Sequence, residues 1–134
     1  MTTIESNKEV INAKDEVIYA FLSNLNNFSK LVPEQIENWK SDETSCSFRV
    51  SGLADISLKI IEKVPFQKIV ISSDGNTPVS FTMVMNITAE VNDQSLFQIV
   101  FLADMNSFMA MMATKPLTNF VNILAQKLRE YYEK

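Results

Sequence analysis

The 134-residue chain has no histidine. That removes the commonest transition-metal ligand and the usual general base near neutral pH. It has one cysteine, Cys46, so neither an intramolecular disulfide nor a cysteine metal cluster can form. Glycine is scarce at two residues and proline at four. With so few breakers and no low-complexity stretch, the chain reads as a single domain over residues 1–134. Long apolar runs are missing too. The densest, Phe108–Ala113, is six residues, against the ~20 that span a bilayer. Positive charge is in deficit, with 12 Lys and Arg against 16 Asp and Glu for a net charge of −4, which argues against a nucleic-acid groove. The opening residues Met1–Glu9 carry neither the basic nor the apolar stretch of a secretory leader, and the cytoplasm is the expected location. A binding domain remains, or an enzyme that works with carboxylates and hydroxyls.

What is present is pattern. Hydrophobic residues make up 46% of the chain, enough for one substantial core. The first dozen residues read as a strand ending near Ile11. Asn12 then has the character of a helix N-cap, with Asp15 and Glu16 in the first turn, and Val17, Phe21, Leu25 and Phe28 recur at helical spacing. A short second helix is expected over Phe28–Val32, ending at Pro33. The middle alternates in twos: Cys46, Phe48 and Val50; after Gly52, Ala54, Ile56, Leu58 and Ile60; then Ile69 to Ile71, up to a turn at Ser73-Asp74-Gly75-Asn76. Val79, Phe81, Met83, Met85, Ile87 and Ala89 hold one face of the next strand. Asn92-Asp93 turns the chain, and Phe97, Ile99, Phe101 and Ala103 continue the row. Met105–Met112 reads as a helical turn or two. Thr114 and Pro116 then read as the start of a long helix whose stripe is Leu117, Phe120, Val121, Leu124, Leu128 and Tyr131. The expected class is α+β. An antiparallel sheet of about six to seven strands curves around the C-terminal helix, with two short helices after the first strand.

The inward rows and the helical stripe supply the candidate site: Phe81, Met83, Met85, Phe97, Ile99, Phe101, Met105, Phe108, Met109, Met112, Phe120 and Leu124. Six of the seven methionines fall between Met83 and Met112. Methionine repacks around varied apolar partners, so these residues suit an adaptable pocket. They suit a dry core equally well. Phe101→Ala separates the two, costing about 3–5 kcal/mol where the ring is tightly packed and much less beside a cavity. Met109–Met112 is too apolar for an exposed loop and reads as a packed segment or a greasy lip that meets a membrane or a partner, a second copy included. Asp104 reads as a helix cap. Cys46 shares the inward phase of Phe48, and Arg49 the outward one. Trp39 is either a pocket wall or an edge residue. No pair of carboxylates can be shown to converge, so no catalytic residue, metal or cofactor is expected.

In its order of elements the chain resembles the START-like, birch-pollen-allergen-like helix-grip superfamily, also called SRPBCC or polyketide cyclase/dehydrase-like, and in particular its small bacterial single-domain members. The resemblance is carried by Asn12-Ala13-Lys14-Asp15-Glu16-Val17-Ile18-Tyr19-Ala20-Phe21-Leu22, by Phe28-Ser29-Lys30-Leu31-Val32-Pro33, and by Ala103-Asp104-Met105-Asn106 leading to Lys115-Pro116-Leu117-Thr118-Asn119-Phe120. It implies a cavity between sheet and C-terminal helix for a small hydrophobic or amphipathic ligand, lipid-like or polycyclic. It implies no particular reaction, because the superfamily holds carriers, receptors, cyclases, oxygenase subunits and chaperone activators. Ligand binding is the leading expectation. The alternatives are a cyclase- or hydrolase-type enzyme using the same cavity, and an interaction module with a filled core.

Overall fold

The structure, a computed structural model, describes residues 2–32, 36–50, 54–74 and 80–133. In chain order the elements are β1 (Thr2–Glu5), β2 (Glu9–Ile11), α1 (Asp15–Leu22), the 3-10 helix η1 (Leu25–Lys30), β3 (Ile36–Ser41), β4 (Ser45–Val50), β5 (Ala54–Val64), β6 (Lys68–Ser73), β7 (Phe81–Ala89), β8 (Ser95–Ala103) and α2 (Ser107–Tyr131). The strands form one antiparallel sheet in the order β1-β8-β7-β6-β5-β4-β3, with β2 also on β8. The fold is α+β, as expected. Pro33, Gly52, the turn through Gly75 and Asn76, and Val79 lie outside the described residues.

Period-two burial organises the centre. Along β8 buried and half-buried residues alternate without a break from Ser95 to Ala103. Its neighbour β7 buries Met83, Met85 and Ile87 in the same phase, and Met83 lies opposite Phe101 and Met85 opposite Ile99. The turn between the two strands places Asn92 and Asp93 both at φ 59°, a left-handed geometry that short polar side chains accept most readily after glycine.

The opening strand is split. Both halves pair with β8, and Ser6 bridges the break. Its backbone N–H donates to the Ile99 carbonyl at 2.9 Å, and its buried Oγ accepts from the Ile99 N–H at 2.9 Å. A side chain thus continues the ladder where the backbone leaves it, and the buried hydroxyl is satisfied. This split, together with β3, brings the sheet to eight strands.

Three helix boundaries differ from expectation. The first helix starts at Asp15 with Lys14 at the cap position and no side-chain cap bond; Asn12 cannot serve because Ile11 is still held extended against Ser95. The expected helix over Phe28–Val32 is instead η1, which starts earlier because the Asn24 side chain accepts from the Asn26 N–H at 3.0 Å. The last helix begins nine positions before Pro116. Asn106 caps it, accepting from the Met109 N–H at 2.8 Å, and Met105–Met112 and the long helix are one continuous element. Thr114 is no cap, since its hydroxyl donates back to the Ala110 carbonyl. Pro116 lacks the N–H that the Met112 carbonyl would accept, but Met112 is exposed and water can take its place.

The second half of α2 closes the concave face over β1, β2 and β8, while α1 packs on β6 and β7, and η1 on β3 and β4. Two polar contacts set how the helix lies. Asn122 Oδ1 accepts from the Asn7 N–H at 2.7 Å, and Arg129 Nη1 donates to Glu9 Oε1 at 2.6 Å. Beneath them Val121, Ala125 and Leu128 are fully buried among Ile11, Ile18, Leu22 and Phe97, each large side chain contributing about 1.5–3 kcal/mol. Phe101 is 4% exposed and stacks on Phe81 with centroids 4.8 Å apart. Phe101→Ala is therefore expected to cost about 3–5 kcal/mol, read as the loss of unfolding free energy in urea; a loss below about 1 kcal/mol would show a ring bordering empty space.

Candidate functional site

Burial falls off toward one end along two of the inward rows, those of β7 and α2. On β7, Phe81 is half-buried and Met83, Met85 and Ile87 are buried. On β5, Leu58 is buried and its row neighbours Ile56 and Ile60 are both half-buried. On the inward face of α2, Ala110, Ala113 and Leu117 are half-buried, while Val121, Leu124, Ala125 and Leu128 are buried. Thr114, on that same face, is exposed. Strand register puts Phe81 opposite Ala103, near the start of α2, so the less buried ends of the β7 and α2 rows lie at one end of the sheet. The other end is sealed by α1 and η1. Among the described residues the interior is packed at one end and less covered at the other, where α2 begins.

The twelve expected site residues divide along this gradient. Met83, Met85, Phe97, Ile99, Phe101 and Leu124 are together in the core at 1–4% exposure. The wall of an empty cavity would stay reachable to a water-sized sphere, and these side chains are not; they form a packed floor. Phe81, Met105 and Phe120 are half-buried against that floor. Phe108, Met109 and Met112 stand exposed on α2. A groove of about 330 Å³ runs along α2, lined by Lys115, Pro116, Asn119, Phe120 and Ile123. Of these only Phe120 was singled out from sequence. Ile123 lies three residues along from it, a spacing that places both on one flank of the helix. A larger hollow of about 750 Å³ lies elsewhere. Lys68, Asn86 and Gln98, which line it, are register neighbours on the sheet face away from the core. Lys68 there is already paired with Glu62 at 3.6 Å. The groove beside α2 is the better candidate because Phe120, which lines it, is half-buried against the core.

The other polar residues singled out from the sequence do not line the groove. Arg49 points outward, its guanidinium on the cross-strand Asp55 carboxylate at 2.8 and 3.3 Å. That hydrogen-bonded pair holds the Asp55 carboxyl below its ordinary range and raises Arg49. Asp104 is exposed and caps nothing, because Asn106 holds that role. Trp39 follows Asn38, whose φ of 55° marks a bulge in β3, and stacks on Phe48 at 5.5 Å. Glu62 and Glu90 are exposed. Among the described residues no three of Cys, Asp and Glu converge as metal ligands, and Lys115 is the one ionisable group lining the groove.

No protein-family model matches the chain, and no curated protein matches it. Solved structures do. A START superfamily protein from Mycobacterium smegmatis superposes with a TM-score of 0.78 at 13% identity, over 98% of this chain and 97% of that one. The fold is that of the START-like helix-grip proteins. The Aha1 dimer protein from Colwellia psychrerythraea has the same fold, with a TM-score of 0.66 at 20% identity over 99% and 97% of the two chains. So does BexL, a di-domain ARO/CYC from the BE-7585A biosynthetic pathway, with a TM-score of 0.76 at 10% identity over 97% of this chain and 46% of that one. At such identities the likeness is one of fold. Among the described residues of this helix-grip chain, no helix is long and apolar enough to cross a membrane.

Cys46 lies in the floor of the grip, 4% exposed. Burial, and after it the negative Asp42, pushes its thiol from 9.0 up to about 12. The folded state therefore holds this proton where the unfolded chain releases it. The contribution to stability is complete below about pH 9 and is lost as pH rises from there toward about 12. The drop in urea midpoint between about pH 8 and about pH 10 should be smaller in Cys46→Ala than in the native chain. Equal drops would show a thiol that ionises as freely folded as unfolded.

Proposed function

We propose that this chain binds a small hydrophobic or amphipathic molecule, lipid-like or polycyclic, at the open end of its grip. The ligand would lie along α2 against Pro116, Phe120 and Ile123 and reach Phe81, Met105 and Leu117, with the packed floor beneath it. The observation that carries this is that apolar side chains of β7 and α2 lose their cover toward the end where α2 begins, beside a groove of about 330 Å³ that the half-buried Phe120 lines. That volume is near the lower end of the ~300–1,000 Å³ typical of ligand sites. Binding is favoured over a cyclase or hydrolase because the only ionisable group lining the groove is an exposed lysine on a helix, with no partner among the described residues to make it an acid or base. A START superfamily protein and an ARO/CYC among the structural neighbours lend the reading the support of fold. The whole chain acts as one domain, and a cytoplasmic location suits its single free thiol.

Native mass spectrometry of the protein purified from its own host tests this directly, and an apolar co-purifying mass is the expected result. Binding of a fluorescent fatty acid should weaken roughly 10–100-fold in Phe120→Ala, the loss of one buried aromatic contact. A clean apo mass together with no uptake of the probe would remove the ligand.

A further inference from the structure

The first three turns of α2 carry a surface that the ligand site does not use. Phe108 is 70% exposed, Met111 80%, Met112 65% and Met109 36%. At 100° per residue Phe108 and Met112 project from the face opposite Leu117 and Val121, with Met109 and Met111 on the flanks. They radiate from the helix and form a convex apolar end. At roughly 200 Å² for a large apolar side chain, these exposures leave on the order of 500 Å² uncovered.

We propose that this end of α2 docks on the surface of a lipid bilayer, Phe108, Met111 and Met112 entering the boundary between headgroups and chains. Three features favour lipid over a protein partner. The area falls short of the ~800 Å² per side that a stable dimer buries. A protein interface also needs polar groups around its apolar centre, and here the hydroxyls of Thr114 and Thr118 already donate to the helix's own Ala110 and Thr114 carbonyls. Charge is the third. From Met105 to Thr118 the only charged residue is Lys115, in a chain of net charge −4. With the exposed Asp104 just before this stretch the docking end is close to neutral, and it lacks the acidic excess of the rest of the chain that an anionic lipid surface would repel. Methionine suits a fluid partner because its side chain conforms to whatever it meets. The insertion depth of such elements is ~5–10 Å, about what side chains on one helical face supply. The Met112 carbonyl, left without an amide donor by Pro116, would sit at hydrated headgroup depth rather than in hydrocarbon.

Flotation on a density gradient tests this, with vesicles of phosphatidylcholine alone and of phosphatidylcholine mixed with phosphatidylglycerol. The native chain should float with both. Combining Phe108→Ser with Met112→Ser should cut partitioning at least about tenfold while leaving the thermal midpoint unchanged, because both side chains are exposed. Val91→Ser, which alters an apolar residue of the β7–β8 turn that is 76% exposed, should float like the native chain. The proposal is overturned if the native chain stays with the dense fraction, or if the double variant floats undiminished. It is equally overturned if Val91→Ser removes as much binding, or if the native chain sediments as a dimer that the double variant splits. Failure of fatty-acid uptake with flotation intact would sink the ligand site and leave the docking surface standing.

Discussion

The seating of the second half of α2 is the contact on which the rest depends. A curved sheet with one apolar face is not stable until something covers that face, and no other element is long enough to do so. Cover comes from Val121, Leu124, Ala125 and Leu128, spaced three, one and three residues apart. Asn122 and Arg129 then lock the depth and rotation of the helix by holding Asn7 and Glu9. Both locks reach the segment where the first strand breaks, so Ser6, which keeps that segment on β8, belongs to the same device. Without the break there would be no exposed N–H at Asn7 for the helix to bind.

The same seating leaves the first half of α2 free. From Asn106 to Val121 the helix climbs about 22 Å at 1.5 Å per residue, and its inward side chains there are mostly small: Ala110, Ala113 and Thr114. Small residues cannot reach down to fill the space beneath them. Leu117 is the first large one on that face, and it is only half-buried. Small side chains inward and large ones outward is the reverse of what a helix completing a core requires. The open end thus has a cause in sequence, and the apolar outer end and the groove are consequences of one inversion.

Much of this fold was legible in advance. The alternation along β7 and β8 and the Asn92-Asp93 turn are period-two and turn-chemistry signals that no other structure satisfies, and the stripe from Leu117 to Leu128 is helical on any count. The errors came where two local signals competed. Asn12 and Thr114 are good cap residues, but one is kept extended by pairing to Ser95 and the other lies within a helix already begun at Asn106. Ser6 and Asn38 mark irregularities whose use depends on a partner strand distant in the chain, so nothing nearby could reveal them. Lys115, Asn119 and Ile123 were not among the expected site residues because they lie on the flank of α2 turned away from the apolar stripe that marks its inward face.

Methionine illustrates why the site was harder to read than the fold. Met83 and Met85 are packed to 1–2% exposure, while Met111 and Met112, equally apolar, face outward at 80% and 65%. Hydrophobicity is the same in both pairs; only the element beneath differs. For the strand pair, period two and the partner across the ladder decide the matter, and α2 covers the result. For the helical pair, consecutive positions cannot both face inward on a helix, since neighbours diverge by 100°. A run such as Met109-Ala110-Met111-Met112 therefore must expose some of its large side chains wherever it forms a helix against a single surface. Folding alone gives no reason to place them there, since serine or lysine at Met111 would cost the core nothing. Their presence is better accounted for by something met at the surface than by anything inside.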